Sequence, residues 1–239
     1  MNIALLGYGK MGKEIEKIAV SRNHQIVAKI DSPTDWETQK QQLKDADVAI
    51  EFSTPDTVLG NIYKCFDLNL PVVVGTTGWQ KQAEEVESYC LAHNQSLFYA
   101  SNFSVGVNIF FEVNKLLAKL MSSQLQYDIK MTEAHHIHKL DAPSGTAISL
   151  ADGIIQNHQG KTNWKLDTDD YSQNDIPIKA IREGEVPGTH TIEYDSDVDI
   201  ISITHEAKSR KGFALGAVLA AEFLKGRKGV FGMKDLLAL

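Results

Sequence analysis

Residues 2–12 read NIALLGYGKMG, a short apolar run that ends in three glycines spaced as G-x-G-x-x-G. A helical pattern of apolar residues follows at Ile15, Ile18 and Ala19, and a second apolar run, 25–31, ends on an acidic residue. The order strand, glycine turn, helix and strand predicts a βαβ unit that binds a dinucleotide. This stretch therefore predicts the fold of the N-terminal half of the chain.

The three glycines of this turn have separate expected roles. Gly7 makes the tight turn, Gly9 lets a pyrophosphate approach the backbone, and Gly12 lets the helix pack closely on the strand. Asp31 stands at the end of the second strand, where an acidic residue binds the adenosine ribose. A tight turn without a ligand is the alternative, but the placement between strand and helix favours the dinucleotide site.

Strands and helices continue to alternate, with strands expected at 48–53, 71–77 and 97–101 and helices at 55–66 and 80–93. Apolar strands between amphipathic helices indicate a parallel sheet that is covered on both faces. Ligands bind beyond the carboxyl ends of such strands, although a simple turn is an equal alternative at any single end. The expected cofactor-binding residues at these ends are Gly7, Tyr8, Gly9, Lys10, Met11, Gly12, Asp31, Ser53, Gly75, Thr76, Thr77, Ala100, Ser101, Asn102 and Phe103.

The second half of the chain has a different pattern of elements. A polar stretch, 157–175, shows little periodicity, and three strand patterns then follow without a helix, which predicts antiparallel pairing in a mixed or open sheet. We expect an α/β, Rossmann-like dinucleotide-binding domain of residues 1–103 and 212–239, with an α+β domain, 104–211, inserted for substrate binding and oligomerisation. The expected elements are a helix at 105–121, a strand at 127–136, a helix at 144–156, strands at 176–182, 189–195 and 199–206, and a buried helix at 212–224.

The composition excludes several classes of protein. Of the 239 residues, 43% are hydrophobic and 23% charged, as in soluble globular proteins. The net charge of -7 argues against nucleic-acid and membrane-surface partners, which usually require a basic face. The chain shows neither an apolar run of about 20 residues nor a signal-peptide pattern. Cys65 and Cys90 lie in helical patterns, and we expect reduced core thiols in a cytoplasmic protein.

The run EAHHIHKLDAPSGTA, residues 133–147, is the densest in chemically active side chains. It holds three histidines, a lysine and two carboxylates, and a helical pattern follows it. Ser144, Gly145 and Thr146 are therefore expected at the start of a helix, where free backbone N–H groups and hydroxyls bind an anion such as a carboxylate. Imidazole and ammonium groups just before them supply protons and positive charge, which predicts an active site.

His135 and Lys139 are the expected catalytic pair in this run. They would lie about 13 Å apart in an extended strand, so we expect the turn that follows to fold the chain back and bring them together. His138 is expected to be an ordinary surface or core histidine. A zinc site is an alternative for the three histidines, but His135 and His136 project to opposite faces of a strand and we expect no metal. Asp141 is expected to cap the helix or to brace Lys139.

The run from Glu133 to Ala147 resembles the signature of the dihydrodipicolinate reductase family. The resemblance extends over nearly the whole chain, through the glycine turn, residues 75–77 and 100–106, and Ser209-Arg210, while the segment between Arg182 and His190 is shorter than in longer members. It implies NAD(P)H-dependent reduction of a cyclic imine dicarboxylate in lysine and diaminopimelate biosynthesis, with NADH or NADPH as the cofactor. It also implies that His135 is the proton donor and Lys139 the second catalytic residue. The implied substrate contacts are His136, Lys139, Ser144, Gly145, Thr146 and Arg210.

The residues themselves fit this chemistry. Hydride adds to an unsaturated carbon conjugated with the ring imine, after which His135 can donate a proton and Lys139 can stabilise charge. Two substrate carboxylates require two anion sites, which the helix start and either Arg210 or Lys139 would supply. One alternative is another two-domain NAD(P)-dependent amino-acid dehydrogenase, which needs no such motif. A non-catalytic NAD(H)-binding sensor is the other, but it needs no proton donor.

The three strand patterns between residues 176 and 206 carry many apolar side chains on a small sheet. Such a surface must be covered by the chain's own helices or by another copy of the chain. The family resemblance points to a homotetramer built through the second domain. The side chains in question are Ile192, Tyr194, Ile200, Ile201 and Ile203.

Overall fold

The structure is a computed structural model that describes residues 1–209 and 211–239. The chain forms two compact units, one of Met1–Val105 with Lys211–Leu239 and the other of Gly106–Arg210. In chain order the elements are β1 (Asn2–Leu6), α1 (Lys10–Ser21), β2 (Gln25–Ile30), α2 (Pro33–Thr38), α3 (Lys40–Lys44), β3 (Val48–Glu51), α4 (Val58–Asp67), β4 (Val72–Val74), a short 3-10 helix (Gln80–Gln82), α5 (Ala83–Ala92), β5 (Ser96–Tyr99), α6 (Val105–Met121), β6 (Asp128–His135), α7 (Gly145–Asn157), β7 (Asn163–Leu166), β8 (Asp175–Arg182), β9 (Thr189–Asp195), β10 (Ile200–Glu206), α8 (Lys211–Leu224), β11 (Gly229–Phe231) and α9 (Met233–Leu237).

The first unit is built on a six-stranded sheet in the order β11-β5-β4-β3-β1-β2, and every pairing in it is parallel. Strands β3 and β4 are buried along their whole length because helices cover both faces of the sheet. One core lies on each face, and α8 contributes Ala214, Ala217, Val218 and Leu224 to one of them. The prediction of a Rossmann-like α/β fold is confirmed.

The second unit is built on a mixed sheet in the order β10-β9-β6-β8-β7. Strand β9 pairs antiparallel with β6 and β10, whereas β8 pairs parallel with β6 and β7. Helices α6 and α7 supply apolar side chains to the core of this unit, together with the buried residues Ile129, Ile178, Ile192 and Tyr194 of the strands.

Two details of the second sheet differ from the prediction. Strands β8 and β9 do not pair with each other, because β6 lies between them; the connection from β6 to β8 contains helix α7, and such a crossover places strands in parallel. Strand β7 lies within the stretch that was expected to be irregular. It is short and lies at the edge of the sheet, so its hydrophobic pattern in the sequence is weak.

Strand β11 and helix α9 follow the last predicted helix and were not anticipated. Strand β11 extends the first sheet beyond β5, with Val230 opposite Leu97. Its three residues are too few to show an alternation of apolar and polar positions. Within the described residues, no helix is both long and apolar enough to cross a bilayer.

Candidate active site

The glycine turn of the first unit has the geometry that each of its glycines was expected to provide. Gly7 has a φ of 89°, and a Cβ there would lie 2.2 Å from the Phe52 carbonyl oxygen. A Cβ on Gly12 would lie 2.4 Å from the Gly7 carbonyl oxygen, so helix α1 packs directly on the turn. A Cβ on Gly9 would meet nothing within 4 Å, which leaves this backbone open to a ligand. The turn therefore fits a bound pyrophosphate.

A cavity of about 450 Å³ opens at the carboxyl ends of β1, β2 and β3. The predicted residues Gly7, Gly9, Asp31 and Ser53 line it. Asp31 is oriented by the turn, since its Oδ1 accepts a hydrogen bond from the Tyr8 N–H at 2.8 Å. The cavity wall also includes residues that sequence reasoning missed, among them Trp36, Thr57, Asn61 and Lys64.

The other predicted strand ends lie along the same edge of the sheet. The Thr76 hydroxyl accepts a hydrogen bond from the Ser53 N–H at 2.8 Å, which ties the end of β4 to that of β3. A smaller cavity of about 160 Å³ is lined in part by Thr76, Ala100 and Ser101. Phe103 is buried against Phe52 and belongs to the core. Lys10, Met11, Thr77 and Asn102 line neither of these two cavities.

Two lysines near the first cavity differ in their surroundings. The Lys29 ammonium lies 2.8 Å from the Glu16 carboxylate and 2.9 Å from the Tyr8 hydroxyl, and it stands 4.3 Å from the centre of the Tyr8 ring. Lys64 lies over the Trp36 ring at 4.7 Å, and both side chains line the cavity. The charge of Lys29 is therefore already balanced by Glu16, whereas Lys64 faces the cavity.

In the second unit, His135 ends strand β6 and is buried. Its Nδ1 lies 3.6 Å from the Glu133 carboxylate, and its ring packs edge-on against His190 at 5.1 Å. Gly188, with a φ of 151°, lies beside Nε2, which a Cβ at that position would approach to 3.0 Å. Burial lowers the pKa of His135 to about 4, with Lys139 and Arg182 adding to the effect, so that the imidazole is neutral near pH 7.

Glu133 is the centre of a buried hydrogen-bonded network, and its side chain is only 1% exposed. The carboxylate accepts hydrogen bonds from the Arg182 guanidinium at 2.8 Å and from the Ser144 N–H at 3.1 Å, and His190 lies 3.6 Å away. Burial alone would raise the pKa of Glu133. Its interactions with His190, Ser144 and Arg182 outweigh that effect and hold the pKa far below its ordinary value, so the group is a carboxylate.

Helix α7 begins where the sequence predicted, but the polar groups of Ser144 interact with other residues of the chain. Its hydroxyl accepts a hydrogen bond from the Ala147 N–H at 3.2 Å and lies 3.1 Å from His190 Nε2, and its N–H is bound to Glu133. Among the described residues at the helix start, the N–H groups of Gly145 and Thr146 have no acceptor. These two groups can bind an anion.

Lys139 is returned toward His135 by a turn, in which its N–H donates to the His136 carbonyl oxygen at 3.1 Å. The Lys139 ammonium lies 2.8 Å from both carboxylate oxygens of Asp141, so Asp141 braces the lysine and the helix cap is Ser144 instead.

The remaining histidines of the motif differ in exposure. His138 is an exposed histidine, as predicted, 3.5 Å from the Glu185 carboxylate. The His136 Nδ1 is buried without a hydrogen-bond partner among the described residues. Arg210, the remaining predicted substrate contact, lies outside the described residues.

Sequence reasoning missed Arg182 and His190, which complete the network. The signal for His190 was its place in strand β9, where it shares a buried face with Ile192 and Tyr194. A histidine in such an apolar series needs a polar partner within the core. Arg182 ends β8 in register with His135, so the pairing of β6 with β8 was needed to find it.

One group of described residues has the donor atoms that zinc prefers. The ligand atoms of Glu133, His135 and His190 all lie within 4.8 Å of one another. The Arg182 guanidinium is bound to the same carboxylate, and the Lys139 ammonium acts on His135. Two positive charges at this position oppose the binding of a divalent cation.

Comparisons with known proteins agree over the whole chain. The family model described as dihydrodipicolinate reductase, N-terminus, matches residues 1–103, and the model described as dihydrodipicolinate reductase, C-terminus, matches residues 106–237. A protein of Christiangramia forsetii named 4-hydroxy-tetrahydrodipicolinate reductase is 50% identical over 238 residues, which cover 100% of this chain and 98% of the relative. A protein of the same name from Staphylococcus saprophyticus is 35% identical, with 99% of this chain and 100% of the relative covered.

A solved structure has the same fold. It is the dipicolinate-bound dihydrodipicolinate reductase from Paenisporosarcina sp. TG-14, which matches with a TM-score of 0.77 over 98% of each chain. The two sequences are 21% identical, so this match concerns the fold.

Proposed function

The chain belongs to the dihydrodipicolinate reductase family, and on that premise we propose that the site around His135 is where its substrate reacts. The enzyme catalyses the NAD(P)H-dependent reduction of 4-hydroxy-tetrahydrodipicolinate to tetrahydrodipicolinate in lysine and diaminopimelate biosynthesis. The observation that carries the site proposal is the buried His135 imidazole, held beside Glu133 in the network that also fixes the start of α7.

His135 acts as the proton donor and Lys139 stabilises negative charge on the reacting substrate. Loss of the 4-hydroxyl group of the substrate as water gives a double bond conjugated with the ring imine. The nicotinamide, when bound, would supply the hydride that adds to this system. The N–H groups of Gly145 and Thr146 bind one substrate carboxylate, and His136 contacts the substrate through its unpartnered Nδ1. Ser144 contributes by holding the helix start in place, and Arg210 would bind the second carboxylate.

The protonation of His135 depends on the substrate. In the free protein, burial keeps the pKa of His135 at about 4, and a neutral imidazole is a poor acid. A dicarboxylate bound at the start of α7 brings negative charge next to the ring and raises that pKa. His135 therefore takes up its proton when the substrate binds, which couples proton donation to the presence of the substrate.

The first unit binds the dinucleotide, with the pyrophosphate at the turn around Gly9 and the adenosine ribose at Asp31. The open space over Gly9 and the cavity at the strand ends support this assignment. The unit of residues 1–103 and 212–239 is thus the cofactor domain, and 104–211 is the domain for substrate binding and assembly.

NADH is expected to serve at least as well as NADPH. The Asp31 carboxylate accepts a hydrogen bond from a free ribose hydroxyl but repels a 2′-phosphate, and Lys29 is already paired with Glu16. Steady-state kinetics with each cofactor measure the ratio of the two kcat/KM values. Asp31→Asn removes the repelling charge and is expected to shift that ratio toward NADPH. A strong preference of the unaltered enzyme for NADPH would contradict the prediction and point to Lys64 or Lys10 as the overriding cation.

The enzyme is expected to be a homotetramer assembled through the second unit. Ile192 and Tyr194 are covered by the chain's own helices, but β10 lies at an edge of its sheet and Ile200 is 59% exposed. Another copy of the chain would cover this surface. Light scattering at micromolar concentration is expected to give four times the chain mass of 26.5 kDa.

A matched pair of variants tests where the copies meet. Ile200→Glu places a charge on the proposed interface and is expected to dissociate the assembly. Leu91→Glu changes a residue of similar exposure, 63%, on helix α5 of the first unit and is expected to leave the mass unchanged. A mass of 26.5 kDa for the unaltered chain would refute the assembly.

We place the enzyme in the cytoplasm. Cys65 and Cys90 are both free and buried, and burial raises the pKa of the Cys90 thiol to about 11. Unreactive reduced thiols of this kind suit a reducing compartment.

A further inference from the structure

Strand β3 ends on a carboxyl group that the proposed function does not use. Glu51 is the last residue of β3, and its side chain is fully buried in the first unit. Glutamate is rarely buried to this extent unless it is paired with a cation. No salt bridge to Glu51 occurs among the described residues, so its place in the core calls for another explanation.

The polar neighbours of Glu51 form the wall of the large cavity. Its Oε1 is in contact with the Ser53 hydroxyl and accepts a hydrogen bond from the Asn61 amide at 3.2 Å. The Ser53 hydroxyl lies 2.8 Å from the Thr57 hydroxyl and accepts from Asn61 at 3.3 Å. Ser53, Thr57 and Asn61 all line the cavity, while Glu51 lies behind them. The buried Oε2 of Glu51 has no hydrogen-bond partner in the described chain.

We propose that Glu51 is a positioning residue of the cofactor pocket, which sets the affinity for the dinucleotide by orienting Ser53 and Asn61 from behind. The proposal rests on the assignment of this cavity to the cofactor. Glu51 is not a catalytic residue, because Ser53 and Asn61 lie between its carboxyl group and the cavity.

The proton of Glu51 decides where the Ser53 hydroxyl points. A serine hydroxyl has one hydrogen to donate and two lone pairs that accept. When Glu51 is a carboxylate, Ser53 must donate inward to Oε1. When Oε1 carries a proton, the acid donates to Ser53 instead, and the Ser53 hydrogen turns toward the cavity wall, where Thr57 or a bound ligand can accept it. The acid form thus adds a donor for an anionic or hydroxylated ligand.

The surroundings of Glu51 favour the acid form. Burial raises the pKa of Glu51, and the nearby polar groups of Ser53, Thr76 and Asn61 oppose this only in part. A charged carboxylate oxygen buried without a partner, such as Oε2, is costly, and a proton on Oε1 lowers that cost because Oε2 is then a neutral carbonyl oxygen. The titratable group that acts on Glu51 from helix α4 is the buried Cys65 thiol, whose pKa is raised by burial and which is therefore neutral.

The test is a titration of NADH onto the full chain without substrate, followed by cofactor fluorescence. It runs from about pH 5, near the ordinary range of a glutamate pKa, up to about pH 9. For the unaltered enzyme we expect the dissociation constant to rise by about five- to tenfold toward high pH, as the Ser53 donor turns inward. Glu51→Gln keeps the shape and cannot ionise. Its NH₂ group donates one hydrogen to Ser53 and the other to the Asn61 amide, which turns so that its oxygen faces the introduced amide. The NADH affinity of this variant is expected to match that of the unaltered enzyme at low pH, within about twofold, and to stay constant as pH rises.

Two further variants distinguish the positioning of Ser53 by Glu51 from a general contribution of Glu51 to folding. Glu51→Leu removes both the donor and the acceptor, and we expect NADH binding to weaken by about tenfold at every pH while the fold is retained. Ser53→Ala removes the hydroxyl group that reorients when Glu51 gains or loses its proton. We expect this variant to lose the pH dependence of NADH affinity although Glu51 is present. An unaltered enzyme whose NADH affinity is constant over this pH range, or a Glu51→Gln variant that keeps the pH dependence, would overturn the proposal. Because no substrate is present, this result does not depend on the roles of His135 and Lys139.

Discussion

Replacing His135 with alanine is expected to lower kcat by roughly 10²–10⁴ while the affinity for NADH stays close to normal. The reduced substrate must receive a proton, and His135 is the buried acid in the proposed site. Lys139→Ala is expected to lower kcat over the same range, because charge on the reacting substrate then lacks its stabilising cation. Stopped-flow and steady-state assays with enzymatically generated substrate measure both effects.

A control lies in the same motif. His138 is 70% exposed and has no role in the proposed site, so His138→Ala is expected to retain nearly all activity. If His135→Ala and Lys139→Ala both keep most of the normal kcat, the assignment of the pair is wrong. The pH profiles give a second check, because kcat reports the pKa in the complex and kcat/KM that in the free enzyme. Proton donation is lost as pH rises, and we expect kcat to decline at a higher pH than kcat/KM.

Replacing Arg182 with methionine is expected to lower the free energy of unfolding by about 3–5 kcal/mol. The change leaves the Glu133 carboxylate, 1% exposed, without its closest cationic partner. Urea denaturation at neutral pH measures the loss. Since the pKa of Glu133 is depressed in the folded protein, its stabilising contribution exists above the unfolded value of about 4.3 and fades as pH falls. The difference between the variant and the unaltered enzyme is therefore expected to shrink in acid.

The matched control is Arg22→Met. Arg22 also makes two hydrogen bonds to a glutamate, Glu222, at 2.9 and 2.8 Å, but the pair is partly exposed, with 39% and 28% of the two side chains accessible. Pairs of this kind contribute about 0–1 kcal/mol, so Arg22→Met is expected to cost little. Equal losses in the two variants would show that the burial of Glu133 does not decide the energy of its pair.

The parts of the structure that follow from local rules were predictable. The turn from Gly7 to Gly12 requires glycine at fixed positions within a few residues, and the structure shows this requirement at Gly7 and Gly12. The start of α7 and the brace between Lys139 and Asp141 are also local, because their groups lie within one turn of chain.

The parts that depend on distant pairing were not predictable. Arg182 and Glu133 lie 49 residues apart, and they meet because β8 pairs with β6 rather than with β9. The use of Ser144 within the network has the same origin, since His190 comes from a third strand. A pattern along the chain shows which face of a strand is buried but not which strand lies beside it.

Helix α8 completes one of the two cores of the first unit, and the chain reaches it only after the second unit has been traversed. During synthesis from the N-terminus, strands β1 to β5 therefore leave the ribosome with one sheet face covered only in part, by α1. The second unit, in contrast, is continuous in sequence and contains the helices that cover its own sheet. Contacts of such long sequence separation form late, and exposed apolar strands are prone to aggregate meanwhile. We therefore expect the nascent first unit to depend on chaperones, and we expect a circular permutant that begins at Lys211 to depend on them less.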